Sequence, residues 1–145
     1  MSSTADKQFD SIVPVAVMIL RLVIGVVFIM HGAQKLLGAF GGAGIDGTAQ
    51  FFGSLGLEPA MFWAWVVALV EFGGGIAMAI GLLARWAGLL LAINMAVATI
   101  VVHLPNGFFA SDGGVEFVLT LFAGSLFFAG YGSGKLSVDA ALSST

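Results

Sequence analysis

Four long apolar stretches, separated by short polar or glycine-rich breaks, set the pattern of the chain. They cover residues 14–37, 60–83, 87–104 and 115–131, and each carries few charges. At ~1.5 Å of rise per helical residue, such stretches suit a hydrocarbon core ~30 Å thick. They predict four membrane spans, I to IV. Pro14 fits a first helical turn, where its missing amide costs nothing. Gly38 and the glycines after it end span I, and Pro105 stops span III. Residues 38–59 form the one long connection. Their first half is glycine-rich, and Asp46 predicts the N-cap of a short helix ending near Leu55. That helix is amphipathic and aromatic. It is expected to lie at the membrane interface, or to re-enter as a lid over the bundle. Trp63 and Trp65 stand where interfacial aromatics belong. Gly73, Ala77 and Gly81 recur at a spacing of four and predict a ridge for close helix approach.

The expected fold class is therefore all-α: an integral membrane four-helix bundle with a short interfacial or re-entrant helix between spans I and II. Residues 1–13 read as a polar cytoplasmic N-terminus, 14–131 as the four-span domain, and 132–145 as a short polar cytoplasmic tail. The first apolar run is too long for a signal peptide and reads as a mature span.

Composition strengthens this picture. Hydrophobic residues make up 59% of the chain and charged ones only 9%, against about a quarter charged in a soluble domain. Mean hydropathy is +1.08. Such a chain could not cover its apolar surface in water. The net charge of −3 comes with no basic stripe, so nucleic acid is not an expected partner; the lipid membrane is. There are no cysteines, which excludes thiol catalysis, thiolate iron–sulfur ligation and covalent haem attachment. Four spans put both termini on one side. Lys7, Arg85 and Lys135 fall on that side and Lys35 on the other, which favours cytoplasmic termini in a bacterial inner membrane.

Candidate chemistry lies with the ionisable groups inside the spans. Each costs several kcal/mol at the bilayer centre unless it faces the bundle and finds a partner. Counting rise per residue places Arg21 and Glu71 near mid-membrane with Asn94 close in depth. They are expected to form a polar core, with Arg21 and Glu71 as an ion pair that is either structural or functional. His31, Lys35, His103 and Glu116 form an outer layer. His31 and Lys35 are four apart and share a face; Arg21, Phe28 and Lys35 recur every seven. Each also has a plainer reading. Lys35 suits an interfacial anchor, Asn94 an interhelical hydrogen bond, His103 a cap near Pro105, and Glu116 a carboxylate at a helix start. Two histidines leave no second choice of ligands, which argues against a bis-histidine haem. A divalent ion on His31, His103 and Glu116 lacks a local metal motif, and no metal site is assigned. No catalytic residue is assigned either.

The residues also resemble a known family. Leu20, Arg21 and Leu22 with Gly25 and Phe28 begin the resemblance. Residues 31–35 (His-Gly-Ala-Gln-Lys), 55–57 (Leu-Gly-Leu), 69–75 (Leu-Val-Glu-Phe-Gly-Gly-Gly) and 81–85 (Gly-Leu-Leu-Ala-Arg) follow. His103, Gly107, Phe108, Gly114, Glu116 and the glycine-rich segment 132–139 complete it. In that order and spacing the chain resembles the DoxX family of small four-helix membrane proteins. Ser133 stands where the family often has proline, and Lys135 where it often has arginine. Members are similar to the small membrane subunit of an archaeal thiosulfate:quinone oxidoreductase, and others are linked to membrane redox complexes in stress defence. The resemblance implies a non-autonomous subunit of a redox-linked membrane complex, with partner subunits and quinone as expected associates. The outer layer would then be the quinone site. A non-enzymatic anchor or assembly subunit is the alternative, and small-solute transport a third reading.

Overall fold

The computed structural model describes residues 4–144, which are mostly helical and include no strand. Residues 1–3 of the expected polar N-terminus lie outside the described residues. Six α-helices follow in order: α1 (Thr4–Leu37), α2 (Gly44–Ser54), α3 (Ala60–Ile80), α4 (Ala84–Ala98), α5 (Glu116–Tyr131) and α6 (Val138–Ser143). A π-helical turn, Thr99–His103, prolongs α4. Phe9–Leu37, Ala60–Ile80 and Ala84–Asn106 are long and apolar enough to cross a membrane, and α5 is a shorter apolar helix. The chain is an all-α integral membrane bundle of α1, α3, α4 and α5, with α2 inserted between the first two.

Two boundaries differ from the sequence expectation. Pro14 lies inside α1, not in its first turn, because the helix starts at Thr4. The carbonyl that Pro14 leaves without a partner belongs to exposed Asp10, where it can be solvated. The short helix starts at Gly44, so Asp46 sits in its first turn and not at the cap. There its carboxylate still complements the helix dipole.

The bundle consists of two tight pairs. α1 lies along α3 and α4 along α5, whereas α1 and α5 meet only briefly. Glycines set the closeness of each pair. A Cβ on Gly25 would lie 2.6 Å from the Ala79 amide nitrogen, and one on Gly75 would lie 2.7 Å from that of Ile29. On the other pair, a Cβ on Gly88 would meet the Ser125 carbonyl at 2.6 Å. The expected ridge of Gly73, Ala77 and Gly81 is not the contact. Gly73 faces open space, and Gly81 ends α3 with φ 72°. The buried stripe of α3 runs through Ala64, Ala68, Glu71, Gly75 and Met78. Gly73 is two residues from Gly75, about 200° around the helix. Phe28, Met78, Leu91 and Phe128 fill the centre and are almost wholly buried. Large side chains such as Val23, Val26, Ile80, Ile93 and Leu126 point outward, as lipid-facing positions should.

The tail is not a free end. Ser137 caps α6, its hydroxyl accepting from the Ala140 amide at 3.1 Å. The Asp139 amide donates to the Gly81 carbonyl at 3.0 Å. The Leu83 amide donates to Asp139 Oδ1 at 3.0 Å, and the Ser133 hydroxyl to Oδ2. The tail is thereby docked on the turn between α3 and α4. The Ser133 hydroxyl, and after it the Leu83 amide, hold the Asp139 carboxyl below its ordinary value of 3.8.

This docking corrects the expected pairing of Arg21 with Glu71. Arg21 is 3% exposed, and its guanidinium donates to the carbonyls of Ser133 and Leu136, the latter at 2.8 Å. Glu71 is bound instead by Lys35, fourteen residues and so about 21 Å further along α1. Counting residues from each span's own end failed because the helices are offset. Lys35 lies near the end of α1, yet its partner lies well inside α3. α2 packs against α3 beside this junction.

Candidate functional site

The two helix pairs separate toward the end of the bundle that carries α2, and a cavity of about 870 Å³ lies there. Its size is within the range of small-molecule sites. α1 contributes Phe28, His31, Gln34 and Lys35; α3 contributes Trp63, Val67 and Glu71; α4 contributes Asn94, Met95 and Ala98. Val101, Val102 and His103 of the π-helical turn, and Phe117, Val118 and Leu121 of α5, form the opposite wall. Thr48, Phe51 and Phe52 of α2 roof it. Phe51, Trp63, Val97 and Phe117 are exposed lining residues, so the rim is apolar.

One polar cluster stands on the wall of this cavity. The Lys35 ammonium donates to Glu71 Oε2 at 2.6 Å, and Asn94 Nδ2 donates to Oε1 at 3.0 Å. Both carboxylate oxygens are therefore occupied, one from α1 and one from α4. The Glu71 side chain is 5% exposed, whereas that of Lys35 is 27% exposed. Lys35 thus neutralises a buried charge while its own side chain stays partly exposed among the residues that line the cavity. His31 lies one turn before Lys35, its ring centroid 6.0 Å from that of Phe117. It closes the narrow contact between α1 and α5.

His103 is held differently. Its Nδ1 lies 2.7 Å from the Gly113 carbonyl oxygen. The π-helical turn brings it to the cavity wall, and such turns recur at functional sites. Glu116 is held away from the cavity. Its Oε1 accepts from the Ala110 amide at 2.6 Å and ties down the loop that carries Gly113. Among the described residues no three His, Asp or Glu side chains gather as a metal site.

Of the residues singled out in the sequence, the structure brings His31, Lys35, Glu71, Asn94 and His103 to one cavity. Arg21 lies midway along α1, where it meets the docked tail, and Glu116, the first residue of α5, is bonded to the loop beyond α4. Sequence reasoning missed the wall from the π-helical turn and the docked tail, whereas a lid from the short helix was one of its two readings. Thr48, Phe51 and Phe52 carried a legible signal as the aromatic face of the short helix. The π-helical turn carried none.

The chain is similar to known proteins. The model of the DoxX family matches residues 16–104. The chain is 36% identical to the Bacillus subtilis protein CatD, provisionally named an oxidoreductase, over 92% of this chain and 89% of that one. It is 30% identical to the Escherichia coli inner membrane protein YqjF, over 86% and 90% respectively. No solved structure matches it at a significant level.

Proposed function

The chain belongs to the DoxX family, and from that premise we propose that its cavity binds the headgroup of a membrane quinone as part of a redox-linked inner-membrane complex. One observation carries the reading: a buried carboxylate with a donor on each oxygen, paired with a partly exposed lysine, on the wall of an apolar cavity of about 870 Å³. Quinones are planar, uncharged and lipid-soluble. Their ring suits walls of Phe28, Phe117 and Leu121, and an apolar rim admits them sideways from lipid. Their carbonyl oxygens accept hydrogen bonds, and Lys35 Nζ has donors to spare beyond Glu71. His31 is within one helical turn to give a second. The local pair of Lys35 and Glu71 is neutral overall, which favours an uncharged ligand over an anion. The relative provisionally named an oxidoreductase is consistent with redox work by the complex.

The reading extends to placement. Arg85, Lys135, the docked tail and buried Arg21 gather at one end of the bundle. Among the cations whose side chains are described, only Lys35 lies toward the other. That distribution supports cytoplasmic termini and a cavity in the outer half of the membrane.

The test is direct. The protein, extracted gently with its partners, should carry quinone in its lipid extract. His31→Ala and Lys35→Met should each weaken quinone turnover by the complex. Purified material without quinone, together with turnover unaffected by either substitution, would refute the proposal.

A further inference from the structure

We infer that the cavity prefers the reduced, hydroxyl-bearing form of its aromatic ligand, a hydroquinone-type diol, and that His103 makes the distinction. This rests on the quinoid reading above and goes further, because it assigns the direction of one hydrogen bond.

The argument begins with the Gly113 carbonyl. A carbonyl oxygen only accepts, so His103 Nδ1, 2.7 Å away, must carry the proton. In a neutral imidazole the other nitrogen, Nε2, is then a lone-pair acceptor. No described residue donates to it. The ring itself lines the cavity.

The tautomer is imposed by a braced loop. The Gly113 amide donates to the Ala110 carbonyl at 3.0 Å, and the Val115 amide to that of Gly107 at 3.0 Å. The Glu116 amide donates to the Phe108 carbonyl at 2.9 Å. Glu116 Oε1 accepts from the Ala110 amide at 2.6 Å. The Gly113 carbonyl is thus held in place against His103, and Glu116 acts as a positioning residue. On the other side, the π-helical turn Thr99–His103 brings the ring to the wall. Two irregular elements meet at one imidazole whose second nitrogen has no use within the protein.

The other polar groups discriminate less. Each oxygen of Glu71 already accepts one hydrogen bond and the side chain is 5% exposed, and Glu58 at the rim already accepts from the Ala60 amide. His31 has neither nitrogen fixed, so it can donate or accept. Lys35 donates to any oxygen. A quinone offers only acceptors, and its carbonyl would face the lone pair of Nε2. A hydroquinone offers an O–H to Nε2 and can still accept from Lys35 through its other oxygen. A half-buried acceptor that gains a partner with one ligand and loses it with the other corresponds to roughly tenfold in affinity.

The experiment uses the full chain in lipid nanodiscs, with decylubiquinol under anaerobic conditions and decylubiquinone as its oxidised match. Binding is read by quenching of the cavity's Trp63. Wild type should bind the quinol about tenfold more tightly. His103→Phe keeps a ring but removes the acceptor. It should weaken the quinol about tenfold without weakening the quinone, so that the preference for the quinol is lost. Nitrogen NMR of the unliganded wild-type protein reads the tautomer without any ligand and without any variant. His103 Nδ1 should be protonated and Nε2 not. Equal or tighter binding of the quinone, or a protonated Nε2 with a bare Nδ1, overturns this inference and leaves the quinoid site standing. Failure of both probes to bind overturns the site itself, and the inference with it.

Discussion

Replacing Lys35 with methionine should destabilise the bundle more than replacing its partner Glu71 with glutamine. The two charges approach to 2.6 Å, where the gross attraction at an effective dielectric of about 20 is about 6 kcal/mol. Most of that offsets the cost of desolvating both groups, so the net effect follows from what each substitution leaves behind. Lys35→Met leaves a carboxylate that is 5% exposed with Asn94 as its one remaining donor. Stranding a buried charge in this way costs about 3–5 kcal/mol. Glu71→Gln leaves an ammonium that is 27% exposed. It can turn toward the cavity and keep a hydrogen bond to the new amide. That loss should be about 1.5–3 kcal/mol, the worth of a charge-assisted hydrogen bond. The double variant removes both charges and should be no worse than Glu71→Gln. The coupling between the two positions is then at least about 3–5 kcal/mol, the whole of the Lys35→Met loss, well outside the 0.3–0.5 kcal/mol within which independent sites add. Unfolding by a denaturing detergent in mixed micelles, followed by far-ultraviolet circular dichroism, measures all four proteins. Coupling below about 0.5 kcal/mol, or a Glu71→Gln loss equal to that of Lys35→Met, would refute the reasoning.

Three further outcomes follow from other parts of the fold. Gly75→Ala sets a Cβ 2.7 Å from the backbone of α1 and should cost about 1–3 kcal/mol in the same unfolding assay. Gly73→Ala, with nothing within 4 Å, should be neutral or stabilising by up to about 1 kcal/mol through helix propensity. Asp139 has a depressed carboxyl, so its contribution is complete above its unfolded value and lost as pH falls through the folded one. Amide exchange in residues 137–143 should therefore stay slow at neutral pH and accelerate only below about pH 4, with Asp139→Asn fast throughout. The chain has no cysteine, so single cysteines report topology cleanly. In intact cells a membrane-impermeant maleimide should label Asp112→Cys and spare Ser144→Cys until the membrane is opened.

The apolar runs made the main helices legible, because a bilayer demands long uninterrupted apolar segments. The short α2 was legible from its aromatic face and flanking glycines. Helical spacing also joined His31 to Lys35, and the two do share the cavity wall. What the sequence could not convey was height. Glu71 and Arg21 each lie within an apolar run. Which cation reaches the carboxylate depends on the offset of α1 against α3, and that offset is set by backbone contacts at Gly25 and Gly75. Arg21 was read as a partner for an acidic side chain, since a buried cation calls for an anion. Here carbonyls from the tail serve instead, and backbone oxygens leave no trace in residue identity. Glu116 fitted the outer layer by depth, but the loop that it braces holds it away from the cavity.

The dependence of Arg21 on the tail also orders events during synthesis. The carbonyl of Ser133 is made 112 residues after the guanidinium that it receives. At about 5–20 residues per second, a ribosome needs roughly 6 to 20 seconds to cover that interval. During it, the first span leaves the insertion machinery with a cation and no acceptor. A cation without an acceptor is costly inside a bilayer, so Arg21 gains its buried partners only when the last residues arrive. A product that stops short of Ser133 lacks both carbonyls that receive the Arg21 guanidinium in the finished fold.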